Sequence, residues 1–320
     1  MFKRIFWVFV PAVLVLFGGV AMLSFYLVHK LSHPPRVPLF TSPRDFNVIF
    51  QKPMWSDDKW KTGDGLESVG WFLTQGKPAP AIILSHSYGS NRSELMTLGF
   101  ELWKAGYHVL LYDMRGHGES TVKWSGLGSY EQEDVLSAIN YLKSLKTEEG
   151  QHTLDGRIGL YGVGLGGYAS LAASTQDAAV KAIAVDSPYP DVRHFINHRL
   201  KLMVGSEKNI VHDMIDSAWA AQLSDLTLQL YLLRRSETSE AEVASALARP
   251  TLFLTGPDAG ALADLTRELY GKAKEPKQFI EIDKTRLDRL YDQSATYDAR
   301  IVTFFRDTIP TKATNLMRPK

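Results

Sequence analysis

The 320-residue chain contains no cysteine. That excludes disulfides, thiolate metal sites and a cysteine nucleophile, and leaves the redox compartment unread. Charge bias is lacking too. Lys and Arg number 36 against 35 Asp and Glu, a net of +1, so nothing argues for a nucleic-acid partner. There is no internal repeat and no low-complexity tract. One further absence is local: the last of nine histidines is His212, so the C-terminal third holds none. At 45% hydrophobic and 22% charged residues, a core of useful size is easily buried.

What is present begins with an apolar run. Ile5 to Val28 carries no charge and is dominated by Val, Leu and Phe. As a helix it spans roughly 36 Å, enough for a hydrocarbon core of about 30 Å. Lys3 and Arg4 precede it, His29, Lys30 and Arg36 follow, and Trp7 and Tyr26 sit near its ends, as interfacial aromatics do. A cleaved signal peptide is the rival, but the run is long for one and no A-x-A-like site follows it. Residues 1–30 are therefore expected to be a single-pass membrane anchor. A slight excess of basic residues at the N-terminus places that end inside and the main domain on the periplasmic or other extracytoplasmic side. Residues 31–42, with Pro34-Pro35-Arg36-Val37-Pro38, read as a stiff extended linker.

From residue 43 to 308 the pattern is α/β, with 309–320 a tail. Strands are predicted at Phe46 to Phe50, Leu66 to Leu73, Ala81 to Leu84, His108 to Tyr112, Arg157 to Tyr161, Val180 to Val185, Thr251 to Thr255 and Gln278 to Ile282. Several are short continuous apolar runs, the mark of strands buried on both faces. Helices are predicted after Asn91, with Glu94 completing a capping-box-like pair, and at Tyr130 to Leu145, Gly166 to Ser174 and Ser294 to Phe305. The alternation predicts a mostly parallel sheet covered on both faces. Residues 191–248 interrupt it with helical pieces, read as a cap inserted over the strand ends.

Three motifs lie at those strand ends. Leu84-Ser85-His86-Ser87-Tyr88-Gly89-Ser90-Asn91 follows one strand, and Asp113-Met114-Arg115-Gly116-His117-Gly118-Glu119-Ser120 follows the next. Gly162-Val163-Gly164-Leu165-Gly166 joins a strand to a helix, in the layout of a G-x-S-x-G nucleophile elbow with glycine at its centre. Together they resemble the α/β-hydrolase superfamily, in particular its membrane-anchored or peptidase-like serine hydrolases. The resemblance covers residues 43 to 308. It implies an α/β-hydrolase fold with a helical cap, and no cofactor.

It also implies where a catalytic triad belongs, and each place can be checked. The nucleophile position holds Gly164, which has no attacking atom. In the G-x-x-D pattern after the strand Thr251 to Thr255, the acid position holds Ala259. Asp258 stands one residue early and reads as a turn aspartate capping the next helix. The base belongs after the last strand, in Asp283 to Leu290, which has no histidine. Substitute nucleophiles are few. Ser170 and Ser174 read as ordinary helix positions, and Ser87, nearer the pocket, needs a base. His194 and His198, spaced i,i+4 near Asp191, can ligate a metal, but no third and fourth ligands are evident, so a solvated face and no metal site are expected. His86 and His117 sit where the resemblance implies loop structure rather than proton transfer. Backbone donors at Ser87 or Tyr88, with Leu165, are left to form an oxyanion-hole-like niche.

Three functional readings follow. The first is a catalytically inactive pseudo-hydrolase that binds an unknown small ligand or protein partner through the former pocket or cap. The second is a serine hydrolase, esterase or peptidase-like, with a relocated site. The third is a structural membrane partner whose pocket is filled.

Overall fold

The computed structural model describes residues 2–46, 53–205, 210–215, 217–218, 222, 248–287 and 295–312. Its strands are β1 (Met54–Lys61), β2 (Glu67–Thr74), β3 (Ala79–Ser85), β4 (His108–Tyr112), β5 (Leu154–Val163), β6 (Val180–Asp186), β7 (Thr251–Thr255) and β8 (Lys277–Glu281). They form one sheet in the order β1-β2-β4-β3-β5-β6-β7-β8, with β2 antiparallel to both neighbours and the rest parallel. The helices are α1 (Phe2–Ser32), α2 (Met96–Lys104), α3 (Glu131–Ser144), α4 (Leu165–Ser174), α5 (Val192–Val204), α6 (Ile210–Ile215), α7 (Ala261–Lys272) and α8 (Ala295–Thr308).

Alternation along the central strands divides the core. Ile83, Leu110, Leu160 and Ile183 face a layer that includes α3, α4 and α7. Ile82, Leu84, Val109 and Leu111 face α2 and α8. All eight are fully buried, at about 2 kcal/mol each against exposure. Register aligns the strand ends: Ser85 stands opposite Gly162, and Asp186 pairs with Val163 on one side and Leu254 on the other. The loops after β3, β5, β6, β7 and β8 therefore share one edge, where open α/β sheets bind ligands.

Three expectations change. Of the predicted first strand, Phe46 closes a short 3-10 turn and 47–50 lie outside the described residues; β1 starts at Met54, polar on its outer face as an edge strand allows. No capping box forms at Asn91. Its side chain accepts from the Ser93 N–H (2.9 Å), while the Glu94 carboxylate turns to Ser87. The proline segment, expected as a stiff extended linker, is also tied to the domain. The Arg36 guanidinium donates to the carbonyls of Gly118, Ser120 and Val122, and the Asn91 amide donates to Val37 and Pro38. Most of the cap beyond Gly205 falls outside the described residues.

Helix α1 is long and apolar enough to cross a membrane over Val13–Ser32, with mean hydropathy 1.7. Leu14, Val15, Phe17 and Met22 are exposed, whereas Val28 and Leu31 are buried against the domain. The Tyr88 hydroxyl donates to the Leu31 carbonyl (2.5 Å) and the Ser125 N–H to that of Ser32 (2.7 Å).

Candidate active site

The bend between β5 and α4 keeps the form of a nucleophile elbow. A Cβ at Gly162 would overlap the Gly166 carbonyl, and one at Gly166 the carbonyls of Ser85 and His86, so only glycine fits. Gly164 holds φ +52 and ψ −110, a backbone L side chains rarely adopt. Its N–H donates to the Asp186 carbonyl (2.8 Å), tying the elbow to β6. The direction in which a nucleophile would project meets Leu287, whose Cδ2 stands 3.0 Å from an ideal Cβ, with Tyr189 at 3.7 Å.

Asp258 does not cap α7. Gly260 occupies the cap position, and no side chain bonds there. The Asp258 carboxylate accepts from the Thr285 N–H (2.9 and 3.1 Å) and the Thr285 hydroxyl (2.8 Å). The loop after β7 thus still grips the loop after β8, as an acid would grip its base, but the residue that reaches the elbow is Leu287. Ala259 is buried beside it.

Next to Leu287, Arg286 is fully buried. Its guanidinium pairs with Asp298 and donates to the Glu94 carbonyl, and its N–H donates to Asp186 (2.8 Å). Asp186 also accepts from Ser187 (2.9 Å) and Tyr297 (2.6 Å), whose hydroxyl meets that of Tyr161 at 2.7 Å. Burial pushes the Asp186 and Asp298 carboxyls above the usual carboxylate range. This network joins β5, β6 and α8 beneath the elbow. No local motif announces it, because Tyr161, Asp186 and the Arg286–Asp298 segment come from separate parts of the chain.

The other candidates separate cleanly. Ser170 points to Ser85 (3.4 Å) and Ser174 to the Leu171 carbonyl (2.7 Å), both in the buried layer. His86 is structural: its Nδ1 donates to the Ser87 carbonyl (2.8 Å) and its Nε2 accepts from the Met114 N–H (3.1 Å). His117 Nδ1 meets the Arg115 carbonyl at 2.8 Å. In the same turn Asp113 accepts from the N–H groups of Arg92 and Glu119, and Arg115 forks onto Asp134. His194 Nδ1 lies 2.9 Å from Asp191, whose side chain caps α5. Among the described residues no group of three or more His, Asp or Glu side chains converges on a metal site.

Ser87 has a different neighbour from the histidine sought for it. Its hydroxyl lies 3.2 Å from the buried Glu94 carboxylate, and its N–H also faces Glu94, at 3.5 Å. Burial pushes the Glu94 carboxyl up, opposed by bonds from Ser90 and Ser87 and by the Arg286 charge. With the Ser87 N–H turned to Glu94, Tyr88 and Leu165 are the niche donors left. The Leu165 N–H opens α4, so it has no intrahelical acceptor.

Around Gly164 lies a cavity of about 650 Å³, lined by Ser87, Tyr88, Leu165, Tyr189, Asp258 and Leu287 from the domain and by the 198–202 turn of α5. Cavities of this size hold small molecules. The pocket is open rather than filled.

Residues 64–259 match the family of X-Pro dipeptidyl-peptidases, the S15 family. The chain belongs to that family. Among relatives, the uncharacterized protein YfhR of Escherichia coli O157:H7 is 27% identical over 307 residues, covering 92% of this chain and 94% of its own. The uncharacterized protein YqkD of Bacillus subtilis is 25% identical over 218 residues, covering 67% of this chain and 66% of its own. The Pyrococcus furiosus esterase Pf2001 superposes with a TM-score of 0.64 at 19% identity, covering 88% of this chain and 98% of the esterase. This S15-family chain therefore has a hydrolase-like fold whose elbow carries glycine.

Proposed function

We propose that this chain is a membrane-anchored pseudo-hydrolase that binds a ligand or partner through the cavity over Gly164. One observation carries the reading: the elbow projects no side chain, and Leu287 stands where the base loop meets it. Acyl transfer needs a nucleophile with a base in hydrogen-bond reach. The test is labelling with a fluorophosphonate probe and turnover of p-nitrophenyl esters by the full chain. No labelling and no turnover above background are expected; stoichiometric labelling at one serine would overturn the reading.

A second reading has its own support. Ser87 lines the cavity, and its hydroxyl touches the Glu94 carboxylate, whose pKa burial raises, so a proton acceptor stands in hydrogen-bond reach of it. In a relocated serine hydrolase, Ser87 would attack and Glu94 would take its proton. Labelling that disappears in Ser87→Ala and persists in Ser170→Ala would establish it.

A further inference from the structure

The cavity has one charged feature that neither reading above uses. Arg199, on α5, lays its guanidinium over the Tyr88 ring at 4.6 Å from the centroid. Among the described residues no carboxylate pairs with it, although it lines the cavity. The neighbouring His198 adds no charge near neutral pH, since burial and the adjacent cations push its pKa down to about 4. Asp258 is on the cavity wall too, but both its oxygens accept from Thr285. The positive side of the cavity is thus the α5 side, at Arg199 and Lys201.

Apart from Ser87, the rest of the lining is mostly apolar. Tyr88, Tyr189, Leu202, Leu262 and Leu287 form the walls. The apolar character continues outward on the cap: Leu202, Met203, Ile210 and Met214 are between 40% and 77% exposed. Helices α1 and α5 touch, and the Tyr88 that carries Arg199 also holds the end of α1 through its hydroxyl. The arginine side of the cavity is thus next to the C-terminal end of the apolar helix.

We propose that the cavity binds a single-chain amphiphile with a carboxylate head, taken from the membrane, with the head on Arg199 and the chain along Leu202, Leu262 and Leu287. The proposal rests on the ligand-binding reading of the same cavity and names its ligand class. Guanidinium and carboxylate match as a two-pronged charge-assisted pair, and the apolar walls remove the chain from water.

The test is binding of radiolabelled oleate to the full chain in nanodiscs, with empty nanodiscs as the blank. Oleyl alcohol supplies the same chain without the charge, and acetate supplies the head without the chain. Oleate is expected to saturate one site per chain, with the alcohol bound about tenfold more weakly or worse. Acetate in roughly hundredfold excess should not compete, because the head alone gains none of the apolar burial. Arg199→Gln should bring the acid-to-alcohol ratio near one, Arg199→Lys should keep part of the preference, and Leu287→Trp should block both ligands by filling the cavity. Equal binding of acid and alcohol overturns the proposal. So does a preference that survives in Arg199→Gln, or acetate competing on a par with oleate, which would mark a bare-anion site. None of these ligands has a bond to hydrolyse, so the result is independent of turnover. Acid-selective binding together with probe labelling at Ser87 overturns only the inactive reading; absence of both overturns only the ligand assignment.

Discussion

Restoring serine at the elbow, by Gly164→Ser, separates loss of a nucleophile from loss of the whole apparatus. The backbone at φ +52 and ψ −110 suits glycine, and a side chain there costs about 1–3 kcal/mol of strain. The new Cβ would also sit 3.0 Å from Leu287 Cδ2, a contact relieved by a small shift of that flexible methyl. For a domain of this size each kcal/mol lowers the melting temperature by about 2–4 °C, so a fall of roughly 2–12 °C is expected. Labelling by a fluorophosphonate should remain absent, because among the described residues no base stands beside the new hydroxyl. The double variant Gly164→Ser/Leu287→His places an imidazole where the leucine methyl now stands, on the loop that Asp258 already grips through Thr285. Slow labelling at the introduced serine is expected in the double variant alone. Mass spectrometry of the probe adduct reads the site. Labelling of the single variant at the level of the double would refute the reasoning, since it would mean a base exists where none is seen.

Other outcomes can be checked separately. Asp134→Asn leaves the buried Arg115 guanidinium without its main partner, and should cost about 3–5 kcal/mol, read as a large drop in melting temperature. The folded state depresses the His198 pKa from 6.5 to about 4, so its contribution is fully present above pH 6.5 and is lost as pH falls toward 4. The full linkage is about 3 kcal/mol, reduced to about 1–2 by partial solvent contact. Melting curves of His198→Gln should accordingly lack part of the wild type's decline across that window. Tyr88→Phe keeps the ring under Arg199 but removes the bond to the Leu31 carbonyl. A loss of about 1 kcal/mol and faster amide exchange in residues 32–37 are expected, and unchanged exchange would show that the hydroxyl does not hold the end of α1.

Much of the fold was legible because its signals are local. Ala81 to Leu84, His108 to Tyr112 and Thr251 to Thr255 are apolar runs too short for helices, and all became central strands. The elbow was legible in part for the same reason: a Cβ at Gly162 would meet the Gly166 carbonyl within the same short motif, whereas the constraint on Gly166 comes from the carbonyls of Ser85 and His86 on another loop. Edge elements were less so. Met54–Lys61 carries five polar residues in its run of eight, and its pairing with β2 comes from the neighbour rather than from its own pattern.

What the sequence by itself determined is the sheet, the elbow bend, the apolar N-terminal run and the absence of Ser, Asp and His from three expected places. Each depends on residue identity at a known spacing. Only the tertiary structure decided what stands around those places: Leu287 against Gly164, Asp258 on Thr285, Glu94 on Ser87, and Arg199 over Tyr88 in the cavity lining. Several of these contacts join segments far apart in sequence, and their partners are chosen by where the strand ends converge. No spacing rule along the chain encodes that convergence, because it is a property of the assembled sheet.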